Sequence, residues 1–196
     1  MEIRAVLLER PLTEAETEAL LRQLPPQRRE RLLRLQVREK WREPLCAYRL
    51  LGRLLGERYG WEQLPEIALT EQGKPFFPDF PYIHFSISHT EGAVLVAVAE
   101  YPVGVDIERI RPVRPEVLQR FGAENEDGFF RLWVRREARG KCSGAGVGGM
   151  LRSELPLQAG EAYAELELFS GYAAGAAARN GPLQTVVRQV TLETLL

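Results

Sequence analysis

Apolar positions recur along this chain at two periods, and the switches between them mark its elements. Residues 3 to 8, Ile-Arg-Ala-Val-Leu-Leu, fit a first strand. Thr13-Glu14-Ala15-Glu16 has capping-box form, and Leu20, Leu21 and Leu24 follow at helical spacing until Pro25-Pro26 ends the run. Trp41, Leu45, Tyr48, Leu51, Leu55 and Tyr59 recur at steps of three and four, which predicts the core face of a long helix. Pro44 requires that helix either to start near it or to kink there. Ile67 to Thr70 reads as a short strand, and Gln72-Gly73-Lys74-Pro75 as a turn.

The densest strand signal runs from Tyr82 to Arg109. Ile83–Ser88, Ala93–Ala99 and Val103–Glu108 are three short runs separated by His89-Thr90-Glu91-Gly92 and Glu100-Tyr101-Pro102. Links this short favour antiparallel neighbours, so the expectation is a three-stranded meander at the heart of a sheet. Phe129, Phe130, Trp133 and Val134 then return to helical spacing. Tyr163–Phe169, Tyr172–Ala178 and Thr185–Val190 read as further strands, and no internal sequence repeat is detectable.

Composition narrows the class. The 196 residues are 45% hydrophobic and 27% charged, ordinary for a globular protein with a real core. A net charge of −1 makes no general case for nucleic acid or membrane binding. No apolar run approaches the roughly 18 residues that a membrane helix needs, and the start does not have the form of a signal peptide. Cys46 and Cys142 sit in no metal motif and read as free thiols of a reducing cytoplasm. Gly144, Gly146 and Gly149 satisfy G-x-G-x-x-G, but they follow a helical segment rather than a strand, so a dinucleotide site is rejected.

Candidate chemistry sits at the edges of the strand-rich stretch. Alternation sends Asp106 and Glu108 to one face of their strand, about 7 Å apart, and Val105 and Ile107 to the other. Two carboxylates so placed repel unless a cation lies between them, and a hard divalent ion such as Mg²⁺ suits oxygen ligands. By itself, D-x-E reads equally as a solvated strand face. Glu137 and Lys141, four apart on the later helix, share one face; alone they read as a surface ion pair. Arg28 and Arg31, three apart in a basic run, are helical neighbours and alone read as a solvated face. Lys74 by itself is an exposed turn lysine. His89 alone reads as a buried, hydrogen-bonded histidine, and His84, of opposite strand parity, as structural.

Taken in order, these pieces resemble one family. Gly73-Lys74-Pro75, Phe85 to His89 (FSISH), Gly104 to Glu108 (GVDIE) and Trp133 to Lys141 (WVRREARGK) are similar to the ordered motifs of Sfp-type 4′-phosphopantetheinyl transferases, and Glu9-Arg10-Pro11-Leu12 matches the family's opening. The resemblance covers about the first three quarters of the chain. It implies an α+β fold of two similar lobes in a pseudo-twofold arrangement, residues 1–103 and 104–196, with the active site at their interface. It implies a cytoplasmic monomer that takes coenzyme A as substrate. The phosphopantetheine arm would pass to a serine of an acyl or peptidyl carrier protein, leaving 3′,5′-ADP.

The same resemblance assigns roles by residue. Asp106, Glu108 and Glu137 would hold Mg²⁺, with Mn²⁺ as a second candidate. Glu137 would be the general base, Lys141 would serve the leaving phosphate and also bind the coenzyme, and His89 would stand with them as a catalytic residue. Arg28, Arg31, Lys74, Ser88 and His89 would position the coenzyme, the two arginines at its 3′-phosphate. The sequence departs from the family at Glu43-Pro44, where an Arg-Thr or Arg-Ser pair is usual, and Arg42 is the substitute at hand. It departs again in residues 122–128, which are shorter than usual, and at Arg136, which keeps the charge of a family lysine. Rival readings are a relative that binds coenzyme A or carrier without transfer, and a metal-dependent phosphohydrolase.

Overall fold

The computed structural model describes residues 1–35, 37–145 and 156–196. The chain is mixed α+β. It begins with β1 (Glu2–Leu7), α1 (Glu14–Gln23), α2 (Pro26–Leu33), one 3₁₀ turn (Arg38–Trp41) and α3 (Arg42–Tyr59). The short strands β2 (Ala68–Leu69) and β3 (Pro75–Phe76) precede β4 (His84–Thr90), β5 (Ala93–Ala99) and β6 (Val103–Arg109). Then come α4 (Pro115–Phe121), α5 (Glu126–Ser143), β7 (Glu161–Leu166), β8 (Tyr172–Arg179), β9 (Val187–Val190) and α6 (Leu192–Leu195).

Local chemistry sets several boundaries. The capping box closes as read: the Glu16 amide donates to Thr13 Oγ1 at 3.2 Å, and the Thr13 amide donates to Glu16 Oε2 at 2.7 Å. Helix α3 starts at Arg42 rather than kinking. Pro44 therefore lies in its first turn, where a backbone N–H has no intrahelical partner to lose. Of the glycine motif, Gly144 ends α5 in the left-handed region at φ 75°. Gly146 and Gly149 lie outside the described residues.

The expected meander is only half formed. Strands β4 and β5 pair antiparallel, but β6 joins a second sheet. The first sheet has the order β4-β5-β1-β9, and the second β6-β8-β7. The reason is that both edges of β5 are taken, one by β4 and the other by β1. Every residue from Ala93 to Ala99 is fully buried, as a strand covered on both faces requires.

The two sheets are joined where β4 and β6 run side by side. Their link is a row of side-chain hydroxyls, not a backbone ladder. The amides of Val105, Ile107 and Arg109 donate to Ser86 Oγ at 3.0 Å, Ser88 Oγ at 3.3 Å and Thr90 Oγ1 at 3.3 Å. The partner numbers rise together, so the strands lie parallel. The period-two run Ser86, Ser88, Thr90 matches the period at which β6 turns free N–H groups toward its neighbour.

Packing gives four layers. Helix α3 covers the outer face of the first sheet through Leu50, Leu51, Leu54 and Leu55 against Val94, Val96 and Val98. Small residues fill the gap between the sheets: Ala93, Ala97 and Ala99 meet Val103, Val105, Ala174, Ala176 and Ala178. Helix α5 covers the outer face of the second sheet. Strand β9 returns to pair parallel with β1, and Leu192 and Leu195 of α6 enter the first core.

Ser86→Ala removes the acceptor of the buried Val105 amide. The expected cost is about 1–3 kcal/mol of unfolding free energy, with Ser86→Thr retaining more, measured by urea titration.

Candidate active site

Alternation along β6 decides which residues reach the site. Val103, Val105 and Ile107 enter the inter-sheet core, so Gly104, Asp106 and Glu108 face α5. Gly104 lets the helix come close. A Cβ there would overlap the Ala138 carbonyl oxygen and the Cys142 backbone nitrogen, so strand and helix touch backbone to backbone. Helix α5 is fixed by Phe129, Phe130 and Val134 in the core. At its N-terminus Asn125 Oδ1 accepts the Gly128 amide at 2.9 Å.

That approach puts Lys141 on Asp106. Its Nζ donates to Asp106 Oδ1 at 2.7 Å, and the Ser88 hydroxyl donates to the same oxygen at 2.7 Å. Asp106 is 3% exposed, and its Oδ2 is buried without a hydrogen-bond partner. Glu108 Oε2 accepts from Thr90 Oγ1 at 3.2 Å and pairs with Arg111 Nη1 at 3.2 Å.

Glu137 is half-buried on the same helix, one turn before Lys141. Burial pushes its carboxyl up to about 7; the negative charge of Asp106 adds to this, Lys141 opposes it, and Glu108 adds a smaller push. The carboxylates of 106, 108 and 137 therefore feel one another. Among the described residues, no three His, Cys, Asp or Glu side chains are drawn together as a metal cage. The donor set nonetheless suits a hard cation. It is all oxygen, it contains a buried carboxylate oxygen with no donor, and its mutual repulsion is what a divalent charge relieves.

The remaining site residues are dispersed around this cluster and beyond it. His89 is exposed beside this cluster. Its pKa is lowered, first by desolvation from the surrounding protein and then by the charge of Lys141, while Glu43 and Asp106 oppose the shift. Lys74 reaches the C-terminal end of α5, where Nζ donates to the Cys142 carbonyl at 2.9 Å, and burial lowers its pKa. It lines a cavity of about 320 Å³ with His84, Ser143 and Arg179. Ser88 is buried and its hydroxyl is committed to Asp106 and the β6 backbone.

The arginine pair does not form a common basic face. Arg28 is 8% exposed and turned inward, with Nη2 donating to the Ile67 carbonyl at 2.8 Å, whereas Arg31 is exposed. Arg28 faces a core-side carbonyl because α2 packs its Leu32 face inward and Arg28, four residues earlier, shares that face. The larger groove on this side, about 1030 Å³, is lined by residues of α1 to α3 and the following loop, and includes none of Asp106, Glu108 and Glu137.

Two residues were given no role by the sequence. Glu43, read only as a departure, accepts the Gly92 amide at 3.2 Å and so docks the start of α3 on the β4–β5 turn beside His89. Tyr163 of β7 lies under α5, packed with Ala138, Cys142 and Ala177. Strand alternation marked its parity, but no motif pointed to it.

Glu137 carries a pH prediction. Its folded pKa lies above the usual 4.5, so its proton-linked stability is present below about pH 4.5 and lost as pH rises through about 7. In metal-free buffer at about pH 8, Glu137→Gln is expected to be more stable than wild type by ~1 kcal/mol after allowance for solvent screening. The gap should close near pH 4, as read by thermal melts.

No protein-family model matches the sequence. Curated relatives do. The chain is 27% identical, over all of itself and all of the relative, to 4′-phosphopantetheinyl transferase Sfp of Bacillus subtilis (strain 168). It is 30% identical to 4′-phosphopantetheinyl transferase ffp of Bacillus subtilis, over 75% of this chain and 72% of that one. It is 31% identical to 4′-phosphopantetheinyl transferase psf-1 of Bacillus pumilus, over 75% and 70%. With aligned identity of this extent and the ordered motifs converging on α5 and β6, the chain belongs to the 4′-phosphopantetheinyl transferase family.

Proposed function

We propose that this chain carries out its family's reaction: it moves the phosphopantetheine arm of coenzyme A onto a serine of an acyl or peptidyl carrier protein and releases 3′,5′-ADP. The observation that carries the reading is Asp106, held between Ser88 and Lys141 under a half-buried Glu137 whose carboxyl sits at about 7. A carboxyl poised there can take a proton at neutral pH.

The serine oxygen forms a bond to the phosphorus that bears pantetheine, and the bond from that phosphorus to the 5′-phosphate oxygen of 3′,5′-ADP breaks. Glu137 accepts the serine proton. Lys141, with three N–H donors, can keep Asp106 and still offer charge to the departing phosphate. Asp106, Glu108 and Glu137 would hold Mg²⁺ or Mn²⁺, which when bound would neutralise the pyrophosphate. His89, Arg31 and Lys74 are the coenzyme-positioning groups in this reading. Arg28 and Ser88 act beneath them, through Ile67 and Asp106.

The two sheets, each backed by one long helix, support reading residues 1–103 and 104–196 as two lobes in pseudo-twofold relation, with β9 crossing back. A cytoplasmic location and a monomeric state belong to this reading; Cys46 and Cys142 are free, buried thiols. No helix of the described residues is long and apolar enough to cross a membrane.

Incubation with coenzyme A, Mg²⁺ and a panel of apo carrier proteins should add one phosphopantetheine to at least one carrier, read by intact mass. No gain on any carrier would favour the non-transferring relative; release of free phosphopantetheine without an acceptor would favour a hydrolase. Glu137→Gln should slow transfer by roughly 10²–10⁴-fold with the fold intact. Asp106→Ala should abolish it.

A further inference from the structure

Two buried polar atoms on the α5-facing side of the second sheet have no hydrogen-bond partner: Oδ2 of Asp106 and the hydroxyl of Tyr163. Register brings them near each other. Asp106 stands directly opposite Gly175 on β8, and Tyr163 stands opposite Ala177, one same-face step along. The Tyr163 ring leans over Gly175, where an added Cβ would overlap its hydroxyl oxygen and ring edge. Opposed Cβ positions in an antiparallel pair are about 5 Å apart, so that hydroxyl lies beside the Asp106 side chain. The ring is fixed there by Ala138, Cys142 and Ala177, with the Arg135 guanidinium 5.5 Å above it.

We propose that Tyr163 is a positioning residue for Asp106: in the loaded protein its hydroxyl donates to Oδ2 and sets the plane of the carboxylate, while Ser88 and Lys141 hold Oδ1. This deepens the transferase reading and rests on it. An ionised carboxylate has about four lone-pair sites. Ser88 and Lys141 use those of Oδ1, which leaves Oδ2 room for one O–H donor and one cation. Hydrogen bonds of this outer kind fix a ligating carboxylate, and their loss typically costs 10–100-fold in metal affinity or activity. Gly175 is then explained as the gap that lets a side chain on β7 reach a carboxylate on β6.

Tyr163→Phe removes the hydroxyl alone. Manganese binding should be titrated by electron paramagnetic resonance with coenzyme A present, beside kcat and KM for coenzyme A on a carrier that wild type modifies. The expected result is Mn²⁺ affinity and kcat lowered about 10–100-fold, with KM for coenzyme A and the melting temperature held. Gly175→Ala, which pushes the phenol aside but keeps it, should move the same readouts in the same direction. Equal Mn²⁺ affinity in wild type and Tyr163→Phe, or no Mn²⁺ binding by wild type, overturns the proposal. A wild type that binds Mn²⁺ more tightly than Tyr163→Phe but modifies no carrier sinks the transferase reading and leaves the placement of Tyr163 standing.

Discussion

A row of three hydroxyls holds this molecule's two halves in register. Strand β6 is an edge strand of its own sheet, and every second amide along it points away from β8 toward β4. Left unpaired, the buried amides of Val105 and Ile107 would each cost about 1–3 kcal/mol. Ser86, Ser88 and Thr90 supply the missing acceptors. Because each hydroxyl also has a proton to give, the seam does more than close an edge. Ser88 donates a hydrogen bond to Asp106 and Thr90 donates one to Glu108, so the bonds that join the sheets also orient both β6 carboxylates. Fold and site share atoms here.

The other face of β6 depends on a close approach. With no Cβ at Gly104, α5 settles onto the strand until its backbone at Ala138 and Cys142 touches it. Glu137 and Lys141 flank that contact, so their reach to Asp106 follows from it. The closeness removes water from the carboxylates and strengthens their repulsion. Desolvation and like charge raise Glu137, and Lys141 alone does not cancel them. A site arranged this way spends stability on unfavourable charge, a pattern common where ionisable groups do chemistry.

The basic residues proposed to position the coenzyme show how far a motif constrains position without constraining contact. Lys74 stands near the α5 terminus and is bonded to a helix carbonyl. Arg28 is turned inward onto Ile67, because helical geometry ties its direction to Leu32 whatever its charge. A basic residue in a basic run reads as solvent-facing, and only packing reveals which members of the run face in.

The sequence alone determined the strand and helix periods, the parity that puts Asp106 and Glu108 on one face, the capping box at Thr13 and the helical step from Glu137 to Lys141. All of these are local, set by chain geometry within a few residues. Tertiary structure decided that β6 leaves the meander, because an edge of β5 can be claimed by only one partner and β1, at the start of the chain, claims it. It decided that β9 returns to β1, that Glu43 docks on the turn at Gly92, and that Tyr163 leans over Gly175 toward Asp106. Those are contacts between segments distant in the chain, and residue spacing carries no record of which distant edges and gaps will meet.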